Sequence, residues 1–80
     1  MVAVVAELLA YLARELVDDP GAVHVESEER DGALVLHLHV GPDDVGKVIG
    51  RQGRIARALR QVVRAAAGRQ RKRVVLEIMD

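Results

Sequence analysis

Along the first sixteen residues the apolar positions Val5, Leu8, Leu9, Leu12 and Leu16 recur three or four apart. That spacing places them on one buried stripe of a helix. Glu7, Arg14 and Glu15 fall off the stripe, and Tyr11 reads as a packing residue at its rim. Asp18-Asp19-Pro20-Gly21 closes the helix, because proline biases the preceding residue away from helix and glycine permits the turn. The period then changes. Val23, Val25 and Ser27 alternate with His24, Glu26 and Glu28, and Leu34, Leu36, Leu38 and Val40 alternate with Val35, His37 and His39. A two-residue period marks strands, and Asp31-Gly32 between them is a favoured hairpin turn. With that turn as the loop, Val23 faces Val40, Val25 faces Leu38 and Ser27 faces Leu36 on an inner face. His24 then faces His39, and Glu26 faces His37, on the outer face.

Gly41-Pro42-Asp43-Asp44 opens a short helix, expected over Asp43 to Ile49. Proline suits the first helical position, and the two acids complement the helix dipole. Gly46 inside this helix costs about 1 kcal/mol in propensity relative to alanine, which points to a close approach by another backbone, either the neighbouring helix or a ligand. A longer helix follows Gly53 and runs to about Ala67. Ile55, Leu59, Val62 and Ala66 share one face of it, while Arg54, Arg57, Arg60 and Arg64 share the other. Gly68 stops the helix. Arg69-Gln70-Arg71-Lys72-Arg73 reads as a basic loop, and Val74-Val75-Leu76-Glu77-Ile78 as a final strand. The order α-β-β-α-α-β lets the last strand join the second in parallel through two helices. The expectation is an α+β fold: a three-stranded mixed sheet covered on one face by three helices.

Eighty residues allow one domain, expected over 1–80, and half of them are hydrophobic. Tyr11 is the single aromatic residue, so the core is aliphatic and no aromatic platform is available for stacking bases. Cysteine is absent, which excludes disulfides and thiolate metal sites. No apolar run approaches the ~20 residues that span a bilayer. The opening Met-Val-Ala-Val-Val lacks the basic region of a signal peptide, so a cytoplasmic address is expected.

A formal net charge of zero argues against a polyanion partner until its distribution is considered. Residues 1–40 carry 2 basic and 8 acidic side chains, whereas residues 41–73 carry 10 basic and 2 acidic. The basic half holds the run Gly46-Lys47-Val48-Ile49-Gly50-Arg51-Gln52-Gly53-Arg54. Gly50 and Gly53 allow torsions that a Cβ forbids and leave room for another backbone. Arg51 and Gln52 between them are a cation and an amide, both suited to phosphate oxygens. Lys47 and Arg54 flank the turn, with Arg54 at a helix N-terminus that itself attracts anions. A helix–turn–helix of this kind offers a phosphate cradle, and the basic half around it is the footprint expected of a nucleic-acid partner.

Three other readings are weaker. Gly41 to Lys47 matches the G-x-x-x-x-G-K pattern of a nucleotide-binding loop. The next residue is Val48, however, where Mg²⁺ binding needs Ser or Thr, and Pro42 removes an amide donor. His24, His37, His39 and Glu26 on one sheet face suggest a metal, but cross-strand neighbours on a flat wet face rarely converge on one point. They read as partly exposed strand residues, and no metal or cofactor is expected. No Ser/His/Asp or Cys/His set points to catalysis, so no enzyme is expected.

The whole run from Pro42-Asp43-Asp44-Val45-Gly46-Lys47-Val48-Ile49 through Gly50-Arg51-Gln52-Gly53-Arg54-Ile55-Ala56 resembles the KH domain, whose Gly-x-x-Gly loop clamps about four nucleotides of single-stranded backbone. The element order is similar to the type II arrangement. Together with the ending Lys72-Arg73-Val74-Val75-Leu76-Glu77-Ile78 and the first helix closing in Leu-Val-Asp-Asp-Pro, it resembles the small bacterial KhpA family over essentially the whole chain. That resemblance implies a cytoplasmic RNA-binding protein, an RNA chaperone or post-transcriptional regulator. It also implies a homodimer and a complex with a larger KhpB-type partner, with links in some bacteria to cell elongation and wall homeostasis.

The expected function is therefore binding of single-stranded RNA with low sequence selectivity. The expected site comprises Lys47, Val48, Ile49, Gly50, Arg51, Gln52, Gly53, Arg54 and Arg57, with Val45, Val48, Ile49 and Ile55 as apolar groove wall, some of these four belonging to the core instead. The alternative is a dimerising adaptor whose RNA contacts belong mainly to its partner. A dimer is expected because four nucleotides give one domain few contacts and because aliphatic residues such as Val35 lie outside the core stripes. The contact face is left open between the outer sheet face, a strand edge and a helix face.

Overall fold

The computed structural model describes residues 2–68 and 73–80. The chain forms α1 (Val2–Leu16), β1 (His24–Arg30), β2 (Ala33–His39), α2 (Val45–Ile49), α3 (Arg54–Ala67) and β3 (Val74–Met79). Single 3₁₀ turns stand at Pro20–Ala22, Pro42–Asp44 and Arg51–Gly53. The helix expected from Asp43 is thus a 3₁₀ turn leading into a five-residue α-helix. Residues 69–72, most of the expected basic loop, lie outside the described residues.

Asp31 and Gly32 have φ of +52° and +81°, the two left-handed positions of a hairpin turn whose twist suits its strands. The register is the expected one, with Arg30 opposite Ala33, Val25 opposite Leu38 and His24 opposite His39. β3 lies parallel to β2, Leu34 opposite Val74 and Leu36 opposite Leu76, so the strand order is β1-β2-β3. A parallel neighbour cannot be reached by a tight turn. The crossover from β2 to β3 carries α2 and α3, and that is how the glycine turn comes to be mounted on the sheet.

The core is centred on β2. Leu34, Leu36 and Leu38 are buried there together with Leu9 of α1, Val48 of α2 and Val63 of α3, each at most 1% exposed. Each aliphatic side chain withdrawn from water in this way contributes about 1.5–3 kcal/mol.

Three expectations about the core need correction. On α1 the deepest residues are Val5, Leu9, Ala10 and Ala13, while Leu8, Leu12 and Leu16 are only half-buried. The small alanines turn toward the sheet, and Leu12 and Leu16 face sideways toward α3. On α3 the inward row is Ile55, Leu59 and Val63, with Ala66 and Ala67 packed beside it. Val62 is 40% exposed. A helix wedged between a sheet and another helix has two apolar sides, and periodicity alone does not tell which meets the sheet. Val35, expected as surplus surface, is only 4% exposed. It lies on the central strand between Glu28 and Val75, and neighbouring side chains close over it. Ser27 shares the inner face of β1 but is exposed, because β1 is an edge strand and the helices leave its far end uncovered.

Candidate nucleic-acid interface

α2 ends at Ile49, where the Gly50 amide donates to the Gly46 carbonyl at 2.9 Å. Gly50 has φ +76° and ψ 173°, a region essentially open to glycine alone. A Cβ built there would stand 2.7 Å from Ile55 Cγ1, so both torsion and space require glycine. The chain then turns tightly, with the Gly53 amide donating to the Gly50 carbonyl at 3.1 Å. Gln52 (φ +58°) and Gly53 (φ +73°) are both left-handed. No atom lies within 4 Å of a Cβ at Gly53, so that glycine answers to torsion only. The left-handed backbone of Gln52, costly for a residue with a side chain, is a feature the sequence did not signal.

This turn presents Arg51 and Gln52, both exposed, between the two helices. Arg54 and Arg57 on the first turns of α3 are exposed as well. Among the described residues none of these three arginines makes an ion pair or hydrogen bond. Ile49 is 37% exposed beside the turn. Val45 and Ile55 are half-buried against the core, and Val48 is wholly inside it. Of the four expected wall residues, Val48 therefore belongs to the interior and Ile49 offers the most surface. Gly46 faces open space, with nothing within 4 Å of a Cβ there. Among the described residues no backbone makes the expected close approach, so of the two expected neighbours the other helix is not the one that meets Gly46.

Lys47 is placed differently from the arginines. Its Nζ lies 3.0 Å from Asp18 Oδ2 and 3.2 Å from Asp44 Oδ1. Asp44, expected only to complement a helix dipole, is 3% exposed. Its carboxylate accepts the backbone amides of Asp18 (3.3 Å) and Asp19 (3.1 Å) as well as the Lys47 ammonium. Burial alone would push the Asp44 carboxyl up, but the Asp18 amide, Lys47 and the Asp19 amide outweigh it and hold the group below its ordinary value. The same contacts, Asp18 first and Asp44 second, push Lys47 up. The triad ties the connection after α1 to the start of α2, and so fixes the helix that carries Gly50. Only the i, i+3 spacing of Asp44 and Lys47 was legible in the chain; the link to Asp18 is long-range.

The histidines of the outer sheet face pair with carboxylates. His37 Nε2 lies 2.9 Å from Glu28 Oε1, and His39 Nε2 lies 2.9 Å from Glu26 Oε1. His37 Nδ1 is 2.9 Å from Glu77 Oε1 without hydrogen-bond alignment. Arg30 also reaches Glu28. The hydrogen bond from His37, with Arg30 in support, outweighs the cost of burial and holds Glu28 below its ordinary value. Among the described residues no three His, Asp or Glu side chains are grouped to hold a metal ion, and no helix is long and apolar enough to cross a membrane.

The α-β-β-α-α-β order, the mixed sheet and the glycine turn between two helices are those of a type II KH fold. Comparison with known proteins agrees. A family model described as KhpA/KhpB, KH domain, matches residues 6–78. The RNA-binding protein KhpA of Treponema pallidum is 51% identical over 80 residues, covering all of both chains. That of Clostridium perfringens is 51% identical over 73 residues, 91% of this chain and 97% of the relative. That of Aquifex aeolicus is 46% identical over 74 residues, 92% and 94% of the two chains. On fold, motif and full-length similarity together, the chain belongs to the KhpA family of KH-domain proteins.

Proposed function

We propose that this protein is a single KH domain that binds single-stranded RNA by its backbone, with the Gly50–Gly53 turn as the clamp. The observation that carries the reading is the combination of a glycine-dependent turn with exposed cations on and beside it that have no partner among the described residues. In this reading Gly50 and Gly53 let a strand approach, Arg51 and Gln52 contact phosphates, and Arg54 and Arg57 add charge at the N-terminal end of α3. Ile49 supplies apolar surface for a base. The relatives' description as RNA-binding proteins supports RNA as the ligand. Without an aromatic platform the contacts are chiefly to backbone, so selectivity is low, which suits an RNA chaperone or post-transcriptional regulator in the cytoplasm.

A specific feature favours self-association as part of the same function. Leu12, Leu16, Ile55, Ala58, Leu59 and Val62 line an apolar groove of about 390 Å³ between α1 and α3. Glu15 and Arg54 stand on its walls. A second copy seated groove to groove about a two-fold axis would cover these apolar side chains in both copies at once, the self-complementary arrangement of an isologous dimer. Dimerisation would raise weak single-domain affinity through effective concentration. A larger KhpB-type partner on the same groove is the competing occupant, and would make the protein an adaptor.

The test is an RNA titration over a range of salt, with light scattering at the same concentrations, from ~5 to 200 µM, where interfaces of micromolar affinity respond. Neutralising about 3–5 phosphates of a single strand gives a slope of log K against log salt near −2 to −3.5. A flat dependence would remove the clamp and favour the adaptor. A constant monomer mass with RNA bound would show that one domain suffices.

A further inference from the structure

The clamp accounts for Arg51, Arg54 and Arg57 but leaves the rest of α3 unexplained. Arg60 and Arg64 continue from Arg57 at steps of three and four, so the three side chains form one stripe along the helix. The stripe lies opposite the inward row of Ile55, Leu59 and Val63. Arg57 and Arg64 are exposed and Arg60 is partly so. No acidic residue occurs anywhere in α3, and among the described residues none of these arginines has an ion pair or hydrogen bond. Three like charges on neighbouring turns repel one another in the free protein. The usual device for a solvated helix face, interleaved glutamates, is absent.

We infer that the Arg57–Arg60–Arg64 stripe is a second phosphate-binding track, along which an RNA strand held in the Gly50–Gly53 clamp continues over α3. The inference rests on the single-strand reading above and extends its footprint beyond about four nucleotides. At 1.5 Å per residue the stripe covers about 10 Å of helix axis. A single strand is more extended than a strand of duplex, whose axial rise is about 3.4 Å per phosphate, so about two phosphates fall over that length. The track begins at the clamp, because Arg54 and Arg57 lie on the turns that directly follow Gly53. Toward the C-terminal end of α3 the helix dipole no longer favours an anion, so there the arginine side chains alone must hold it.

The experiment compares a uridine tetranucleotide with a uridine dodecanucleotide, on the wild type and on Arg60→Gln/Arg64→Gln. Glutamine keeps helix propensity, and both positions lie off the buried row, so the variant folds. Wild type should bind the dodecanucleotide with a salt slope steeper by about 1.4, at ~0.7 for each of the two added single-strand contacts. The double variant should lose about 1.4 of that slope and, at 0.1 M salt, about 25-fold in dodecanucleotide affinity. Its tetranucleotide affinity should be unchanged. Equal slopes for the two lengths on wild type, or wild-type dodecanucleotide binding by the double variant, would overturn the track. So would an equal loss on both lengths, which would mean a diffuse field rather than a path. Arg51→Asp/Gln52→Asp separates the two readings. If it leaves tetranucleotide binding intact, the clamp fails, while the length-dependent loss in Arg60→Gln/Arg64→Gln still measures the track.

Discussion

The outer face of the sheet and the segment from Gly50 to Arg64 are both densely polar, yet they handle charge in opposite ways. On the sheet, Glu26 reaches diagonally to His39, Glu28 meets His37 and Arg30, and Glu77 meets His37. On the turn and α3, Arg51, Arg54, Arg57, Arg60 and Arg64 have no partner among the described residues. Charges that satisfy one another belong to the scaffold, and on the reading proposed above the like charges left unsatisfied are the ones that meet phosphate. Lys47 shows that sequence neighbourhood does not decide which kind a charge is. It stands in the basic half, three residues before Gly50, but its ammonium is engaged by Asp18 and Asp44.

The largest effect should come from reversing the sign of the unpaired region. Arg51→Asp/Gln52→Asp is expected to lower RNA affinity on the order of 100-fold, since two contacts are lost and two repulsions gained. Melting and circular dichroism should stay those of the wild type, because both side chains are exposed. Wild-type affinity in a folded variant would put the binding surface elsewhere.

Next in size is the shape of the turn that presents those charges. Gly50→Ala should cost about 2–3 kcal/mol, since it combines a glycine-only torsion with a clash against Ile55. Gly53→Ala should cost about 1–2 kcal/mol, from left-handed torsion alone. Gly53→Asn, with a side chain that tolerates this region, should recover much of the loss. Equal costs at the two glycines in denaturant unfolding would contradict the asymmetry.

A smaller effect tests the paired cation. Lys47→Gln should lower the melting temperature while leaving the salt slope of RNA binding unchanged. A slope reduced by about 0.7 would instead show that Lys47 leaves its aspartates for a phosphate. The acid side of the same triad gives a pH signature. Asp44 is held below its ordinary 3.8, so its contribution is fully present above that value and is lost as pH falls through the depressed value. Acid titration of stability should show this loss in the wild type and a weaker one in Asp44→Asn, measured relative to each protein's stability at neutral pH. Identical acid profiles would mean that the triad does not couple protonation to folding.

Much of this molecule was legible from residue order because its local signals agree with its fold. The change of period from helix to strand, Asp31-Gly32 as the hairpin turn with its register, and the glycines around Arg51-Gln52 are each specified within a few residues. The charge asymmetry and the face of α3 that carries its arginines could likewise be read from spacing. What depended on distant segments meeting could not be read. Rotation of α3 about its axis put Val63 rather than Val62 inside, because the helix has two apolar sides, and Val62 lies on the one that borders the groove beside α1. Val35 was closed over by its neighbours on β1 and β3. Asp44 became buried, and Lys47 its partner, only when Asp18, Asp19 and the start of α2 were brought together by the fold. Short-range torsion and periodicity are properties of the chain itself, whereas the partner of a charge and the depth of a side chain are set by what packs against them.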